Sequence, residues 1–137
     1  MIDVIIYVED FPTLVGYLDT RAPHLLARDE GNNLIMPPVV TGFARTPAIV
    51  NGDKLLAYMR LTDEQAETWL GTPGVEVLAQ AEYIGRETGD TVYQALFADA
   101  EATAKYDSVY DRTPREVDDG EGGTLTITPP AKFGVMA

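Results

Sequence analysis

The sequence predicts an α+β domain on the split β-α-β plan, extended by one further helix and a C-terminal arm. Four stretches predict it. "IDVIIYV" near the start sets apolar residues two apart on one face, and "VEVLAQAEY" from Val75 alternates likewise, the period of a strand. "LTDEQAETWLGTPG" carries the start and stop signals of a helix. "NGD" at 51–53 sits between two apolar runs and reads as a hairpin turn. The implied order is strand, helix, strand, strand, helix, strand. That is the βαββαβ arrangement of ferredoxin-like sandwiches, an antiparallel sheet with two helices on one face. The compact domain is expected over 1–85, an amphipathic helix over 86–106, and an acidic connector with an extended arm over 107–137.

In the first strand Ile2, Val4, Ile6 and Val8 share one face. Ile5 and Tyr7 fall on the other, which implies cover on both sides. Asp10 suits a helix cap, and Pro12 is tolerable in a first turn because its missing N–H would be unpaired there. Gly16 weakens this helix, and Pro23 ends it or starts a second short turn through "HLLARDEG". Pro37, Pro38 and Pro47 punctuate the apolar runs of 30–50, so irregular or edge strands are expected there. Around "NGD", the runs "TPAIV" and "KLLAYMRL" should pair antiparallel. Leu55, Ala57, Met59 and Leu61 would lie on one face, with Leu56, Tyr58 and Arg60 on the other.

Thr62 and Gln65 fit a capping box, and Asp63 and Glu64 lie in the first turn, where the helix dipole favours acids. Ala66, Trp69 and Leu70 supply the buried stripe, and Gly71 suits a left-handed position past the helix end. Val75, Val77, Ala79, Ala81 and Tyr83 then alternate along a strand. After the loop "IGRETGD", Asp90 can cap a helix through "TVYQALFADAEATAKYD". Val92, Leu96 and Ala100 recur at helical spacing, with Tyr93, Phe97 and Ala104 beside them. This helix either covers the open face of the sheet or is offered to a partner; cover is the commoner use. "RTPREVDDGEGG" reads as an extended or mobile connector, and "TLTITPPAKFGVMA" recovers β character, with Thr124, Thr126 and Thr128 opposite Leu125 and Ile127. Phe133, Val135 and Met136 are too apolar for a free tail and need a surface to bind.

A chain of 137 residues fits one domain that buries roughly two thirds of its unfolded surface. No apolar run approaches the roughly 18 residues needed to span a bilayer. "MIDVIIYVED" has acids where a signal peptide would have bases, so no secretory signal is expected. With no cysteine, disulfides, thiolate metal sites and cysteine nucleophiles are excluded. The net charge of −12 repels phosphate backbones and disfavours direct nucleic-acid binding. It suits solubility first, a basic partner second, and imitation of nucleic acid third.

Chemistry-bearing residues are sparse. His24 is the only histidine and Ser108 the only serine, with no motif joining them. Neither phosphate-loop pattern occurs. Asp107, Asp111, Glu116, Asp118, Asp119 and Glu121 form an acidic stretch whose spacing fails the calcium-loop pattern, so a solvated loop is expected. No catalytic, cofactor or metal residue is expected. Tyr106, Tyr110, Leu125, Ile127, Phe133, Val135 and Met136 are the candidate partner-binding residues, with packing onto the added helix the blander account of Tyr106 and Tyr110.

The segment "PAIVNGDKLLAYMRLTDEQAETWLGTPGVEVLAQAEY", with the arm that follows, resembles small accessory proteins from the structural modules of tailed bacteriophages. The resemblance implies a non-enzymatic virion component of head, neck, tail or capsid surface, located in the virion or the host cytoplasm. Its partners would be other protein subunits in a homo- or hetero-oligomeric assembly, with no membrane. An acidic inhibitor or adaptor on a basic nucleic-acid-binding partner is the alternative, and it requires acids on one face. A small carboxylate enzyme is a third possibility and requires a concave pocket.

Overall fold

The structure is a computed structural model that describes residues 1–21, 26–33 and 47–133. Strand β1 (Ile2–Val8) leads to helix α1 (Phe11–Arg21), then β2 (Ala48–Asn51), β3 (Lys54–Leu61), α2 (Asp63–Leu70) and β4 (Val75–Glu82). Helices α3 (Thr88–Ala98) and α4 (Ala100–Val109) follow, and strands β5 (Arg115–Asp118) and β6 (Thr124–Ile127) end the described chain. The first four strands form one antiparallel sheet in the order β2-β3-β1-β4. β5 and β6 form a separate two-stranded sheet.

The sheet is covered on both faces, because β1 and β3 are apolar on both. Val4, Ile6, Val8, Leu55, Ala57, Met59 and Leu61 pack against Leu14, Val15 and Leu18 of α1 and Trp69 of α2. Ile5, Tyr7, Leu56 and Tyr58 pack against Val92, Tyr93 and Leu96 of α3 and Ala102, Tyr106 and Val109 of α4. The added helical segment therefore covers the sheet's second face, the commoner of the two uses weighed from sequence.

Helix starts follow local chemistry. Asp10 accepts from the Thr13 backbone N–H at 3.2 Å and from its hydroxyl at 2.8 Å, and α1 runs through Gly16 without a break. The Thr62–Gln65 capping box closes reciprocally, at 3.3 Å and 3.0 Å.

Four expectations are corrected. Gly71 is right-handed at φ −90°; it is small because a Cβ there would meet the Glu67 carbonyl at 3.0 Å. The left-handed residue of that turn is Gly74, at φ +86°. The hairpin loop is Gly52–Asp53, since Asn51 already pairs with Lys54. Gly52, at φ +63°, supplies the positive φ a tight loop needs. The single helix expected from 91 to 106 is two helices starting at Thr88. Asp99 leaves helical geometry at φ −107°, ψ 115°, and its carboxylate accepts from the N–H groups of Glu101 and Ala102, so it breaks α3 and caps α4. The break changes the buried stripe, leaving Ala100 and Ala104 exposed and turning Ala102, Tyr106 and Val109 inward.

The fourth correction concerns β4. Its pairing with β1 slips between Ile5 and Ile6, from Ala79 to Val77, so Leu78 is an extra residue. Val75 and Val77 pack on the α1/α2 side, while Leu78, Ala79 and Ala81 pack on the α3/α4 side. The expected single alternating face is thus divided between two cores. The irregular strands expected over 34–46, the turn at Pro23 and the residue His24 lie outside the described residues.

Candidate interaction surface

Beyond α4 the chain forms a hairpin where a mobile connector and an extended arm were expected. Arg115 pairs with Ile127, Glu116 with Thr126, Val117 with Leu125 and Asp118 with Thr124. The turn is made by Asp119, whose carboxylate accepts from the N–H groups of Glu121 and Gly123 at 2.7 Å and 3.1 Å. Gly120 and Gly122 supply φ of +83° and +87°. The acids and glycines that read as disorder are the turn itself.

Strand pairing sorts the hairpin into two faces. Val117, Leu125 and Ile127 lie on one with Arg115; Glu116, Asp118, Thr124 and Thr126 lie on the other. Leu125 is 55% exposed and Ile127 41%, and all four residues of β6 face solvent. The sequence singled out Leu125 and Ile127 but not Val117 and Arg115, their neighbours across the pair. The two β-capable runs flanking "DDGEGG" were the signal for that pairing.

The base of the hairpin is tied down. The Tyr110 hydroxyl donates to the Pro130 carbonyl at 2.7 Å, and the Tyr106 hydroxyl donates to the Ala131 carbonyl at 2.7 Å. The Phe133 N–H donates back to the Tyr106 hydroxyl at 2.9 Å. Lys132 pairs with Asp90 on α3. The rings of Tyr106, Tyr110 and Phe133 meet edge-to-face or tilted, with centroids 5.8–6.1 Å apart. Tyr106 is fully buried, and its hydroxyl is held above the ordinary tyrosine pKa chiefly by that burial. Tyr106 and Phe133 therefore meet their own chain, the packing alternative raised from sequence, and Tyr110 is half-buried beside them. Val135 and Met136 lie outside the described residues.

The other groupings of polar residues are structural in their bonding. Ser108 donates to the Lys105 carbonyl at 2.6 Å, Lys105 pairs with Glu76, and the Tyr7 hydroxyl donates to Glu9. Burial and the Glu9 bond push the Tyr7 pKa up, and the Glu76 bond pushes the Lys105 pKa up. Both shifts oppose the deprotonated form that a nucleophile or base requires. A groove of about 490 Å³ beside α3 is lined by Asp90, Tyr93, Gln94, Phe97, Ala98 and Lys132, with the Asp90–Lys132 ion pair in its wall. Among the described residues, no group of three or more His, Asp or Glu side chains converges to hold a metal ion, and no helix is long and apolar enough to cross a membrane.

Asp3 escaped the sequence reading although it interrupts an apolar strand. It is fully buried and accepts from Arg60 Nε at 2.9 Å, Arg60 Nη2 at 3.3 Å and the Tyr58 hydroxyl at 2.7 Å. The Arg60 guanidinium lies 3.9 Å over the Tyr83 ring. Compared with known protein families, curated proteins and solved structures, the chain matches none.

Proposed function

We propose that the protein is a non-enzymatic assembly component, a virion protein of a tailed bacteriophage acting through protein–protein contacts. One observation carries the reading. The hairpin presents the exposed Leu125 and Ile127 beside the half-buried Val117 on one face, follows a body whose own cores are filled, and among the described residues is hydrogen-bonded to that body at its base. A lone two-stranded hairpin is marginally stable in water, so a surface that covers it is needed. The body gives a rigid mount. We read its first six elements as a ferredoxin-like split βαβ sandwich, supported by the order β2-β3-β1-β4 and the crossovers through α1 and α2. On this reading α3 and α4 are an added layer.

The acidic-inhibitor alternative requires acids gathered on one face. Exposed acids lie on both layers and at the hairpin tip: Asp63 and Glu64 on α2, Asp90 and Glu101 on α3 and α4, Asp119 and Glu121 at the turn. That spread favours solubility over mimicry.

Affinity capture with the full chain and with the Leu125→Glu/Ile127→Glu variant, bound proteins being identified by mass, tests the proposal. Capture of virion subunits that the variant loses, with its circular dichroism unchanged, is the expected result. A basic nucleic-acid-binding protein, kept by the variant and released by high salt, would overturn it.

A further inference from the structure

We infer that the free edge of β6 is a self-pairing edge, which joins two copies of this chain across a two-fold axis at Thr126. The inference rests on the hairpin being the contact element and names a second copy as its occupant.

Three observations carry it. The first is the contrast between sheet edges. Outer strands are usually blunted by charge, bulges or shortness, because their unpaired N–H and C=O groups recruit other strands. β4 follows the rule, with Glu76, Glu82 and the bulge at Leu78. β5, the strand paired with β6, carries Arg115, Glu116 and Asp118; β2 is as short as β6, at four residues, so it is charge and irregularity that set β4 and β5 apart. The run from Thr124 to Thr128 has no charge, no proline and no bulge, and all five residues are exposed.

The second is which groups point outward. The Asp119 N–H donates to the Gly123 carbonyl, so inward and outward residues alternate from that pair. Gly123, Leu125 and Ile127 direct their backbone groups at β5. Thr124, Thr126 and Thr128 direct theirs at the open edge.

The third is that the sequence of this edge is self-complementary. "TLTIT" reads the same from either end in residue class, with Thr126 at its centre. Antiparallel pairing about Thr126 sets Thr126 opposite its own copy and Thr124 opposite Thr128 of the second copy. It sets Leu125 opposite the second copy's Ile127. Thr–Thr and aliphatic pairs are favourable across antiparallel strands. The result is a four-stranded sheet with one continuous apolar face. The hairpin's acids stay on the outer strands and turns, away from the axis, which limits the repulsion between two chains of net charge −12. An isologous contact of this kind closes on itself. Its area is below the roughly 1,000 Å² of a tight interface, so the pairing is weak in dilute solution and is strengthened at the high local concentration of an assembly.

The absence of native cysteine allows a clean test. Across the axis, the two Thr126 Cα atoms would lie about 5.5 Å apart, within disulfide reach. The two Thr124 Cα atoms would be offset by four residues, about 13 Å. Full-length T126C and T124C would be oxidised side by side, and wild-type protein sedimented up to about 0.5 mM, a range suited to a small interface. The expected result is disulfide dimer from T126C at least about tenfold faster than from T124C, and a wild-type mass rising from 14.9 kDa toward twice that value. Equal linking rates, or a mass fixed at 14.9 kDa throughout, would overturn the inference. If that happened while the Leu125→Glu/Ile127→Glu variant still lost its captured virion subunits, self-pairing would fail and the assembly reading would stand.

Discussion

The Tyr58 hydroxyl lies 2.7 Å from Asp3 Oδ2, and both residues are fully sealed from solvent. Arg60 completes the group from the next position along the same face. The carboxylate is paired and fully hydrogen-bonded, which is the condition for a buried charge to be tolerated.

Removing Asp3 takes from Arg60 its buried carboxylate and leaves the Tyr58 hydroxyl without this acceptor. Asp3→Ala is expected to cost about 3–5 kcal/mol, the range for breaking a buried pair from one side. Tyr58→Phe removes one hydrogen bond and should cost about 1–2 kcal/mol. Urea unfolding followed by Trp69 fluorescence measures both; an Asp3→Ala loss below that of Tyr58→Phe would contradict the assignment.

Tyr58 and Tyr106 are both held above the ordinary tyrosine pKa of 10.0, chiefly by burial. The unfolded chain releases these protons near pH 10 and the folded chain retains them. Stability is therefore complete below pH 10 and is lost as pH rises beyond it, by about 1.4 kcal/mol per pH unit for each tyrosine. Unfolding between pH 9 and about 11 should show this fall. Tyr58→Phe or Tyr106→Phe should each make it shallower, and an unchanged slope would remove that residue from the account.

Tyr106 joins α4 to the return of the hairpin by donating to one backbone group and accepting from another. Tyr106→Phe keeps the ring in the core but leaves the Phe133 N–H and Ala131 carbonyl without this partner. We expect a loss of about 1–3 kcal/mol and faster hydrogen exchange at the Phe133 amide, with β1 and β3 amides keeping their relative order. Equal acceleration everywhere would show that the clasp is not local.

The capping box of α2 is exposed, so its removal acts on the helix alone. Thr62→Ala should cost about 1 kcal/mol and lower the melting temperature by about 3–5 °C. Calorimetry of the single variant checks this directly.

The legible parts of the fold were those whose residues act on near neighbours. Alternation marked β1 and β3, and the Thr62–Gln65 spacing marked α2 to the residue. The failures share one cause: a single side chain or an inserted residue redirected the backbone. Asp99 reads as one more polar position on a helix until its carboxylate is seen capping the next one. Leu78 fits the apolar pattern of β4, and nothing in its chemistry marks it as the bulge. The hairpin was hidden because acids and glycines make a good turn and a good linker alike. Of the candidate interaction residues, Leu125 and Ile127 were visible as exposed β residues. The burial of Tyr106 and Phe133 on each other depends on the chain returning to α4, which local pattern does not encode.

The slipped pairing at Leu78 gives β4 a frame, in the sense in which a message has one. Residues before it are read by one core and residues after it by the other. Substitutions on either side alter one core at a time. Deleting Leu78 would close the ladder on the partners it already has, Val77 with Ile6 and Ala79 with Ile5, so every other residue of β4 would keep its core and only the Leu78 side chain would be lost. The slip is accordingly the place where the strand's length can change without either core losing its frame.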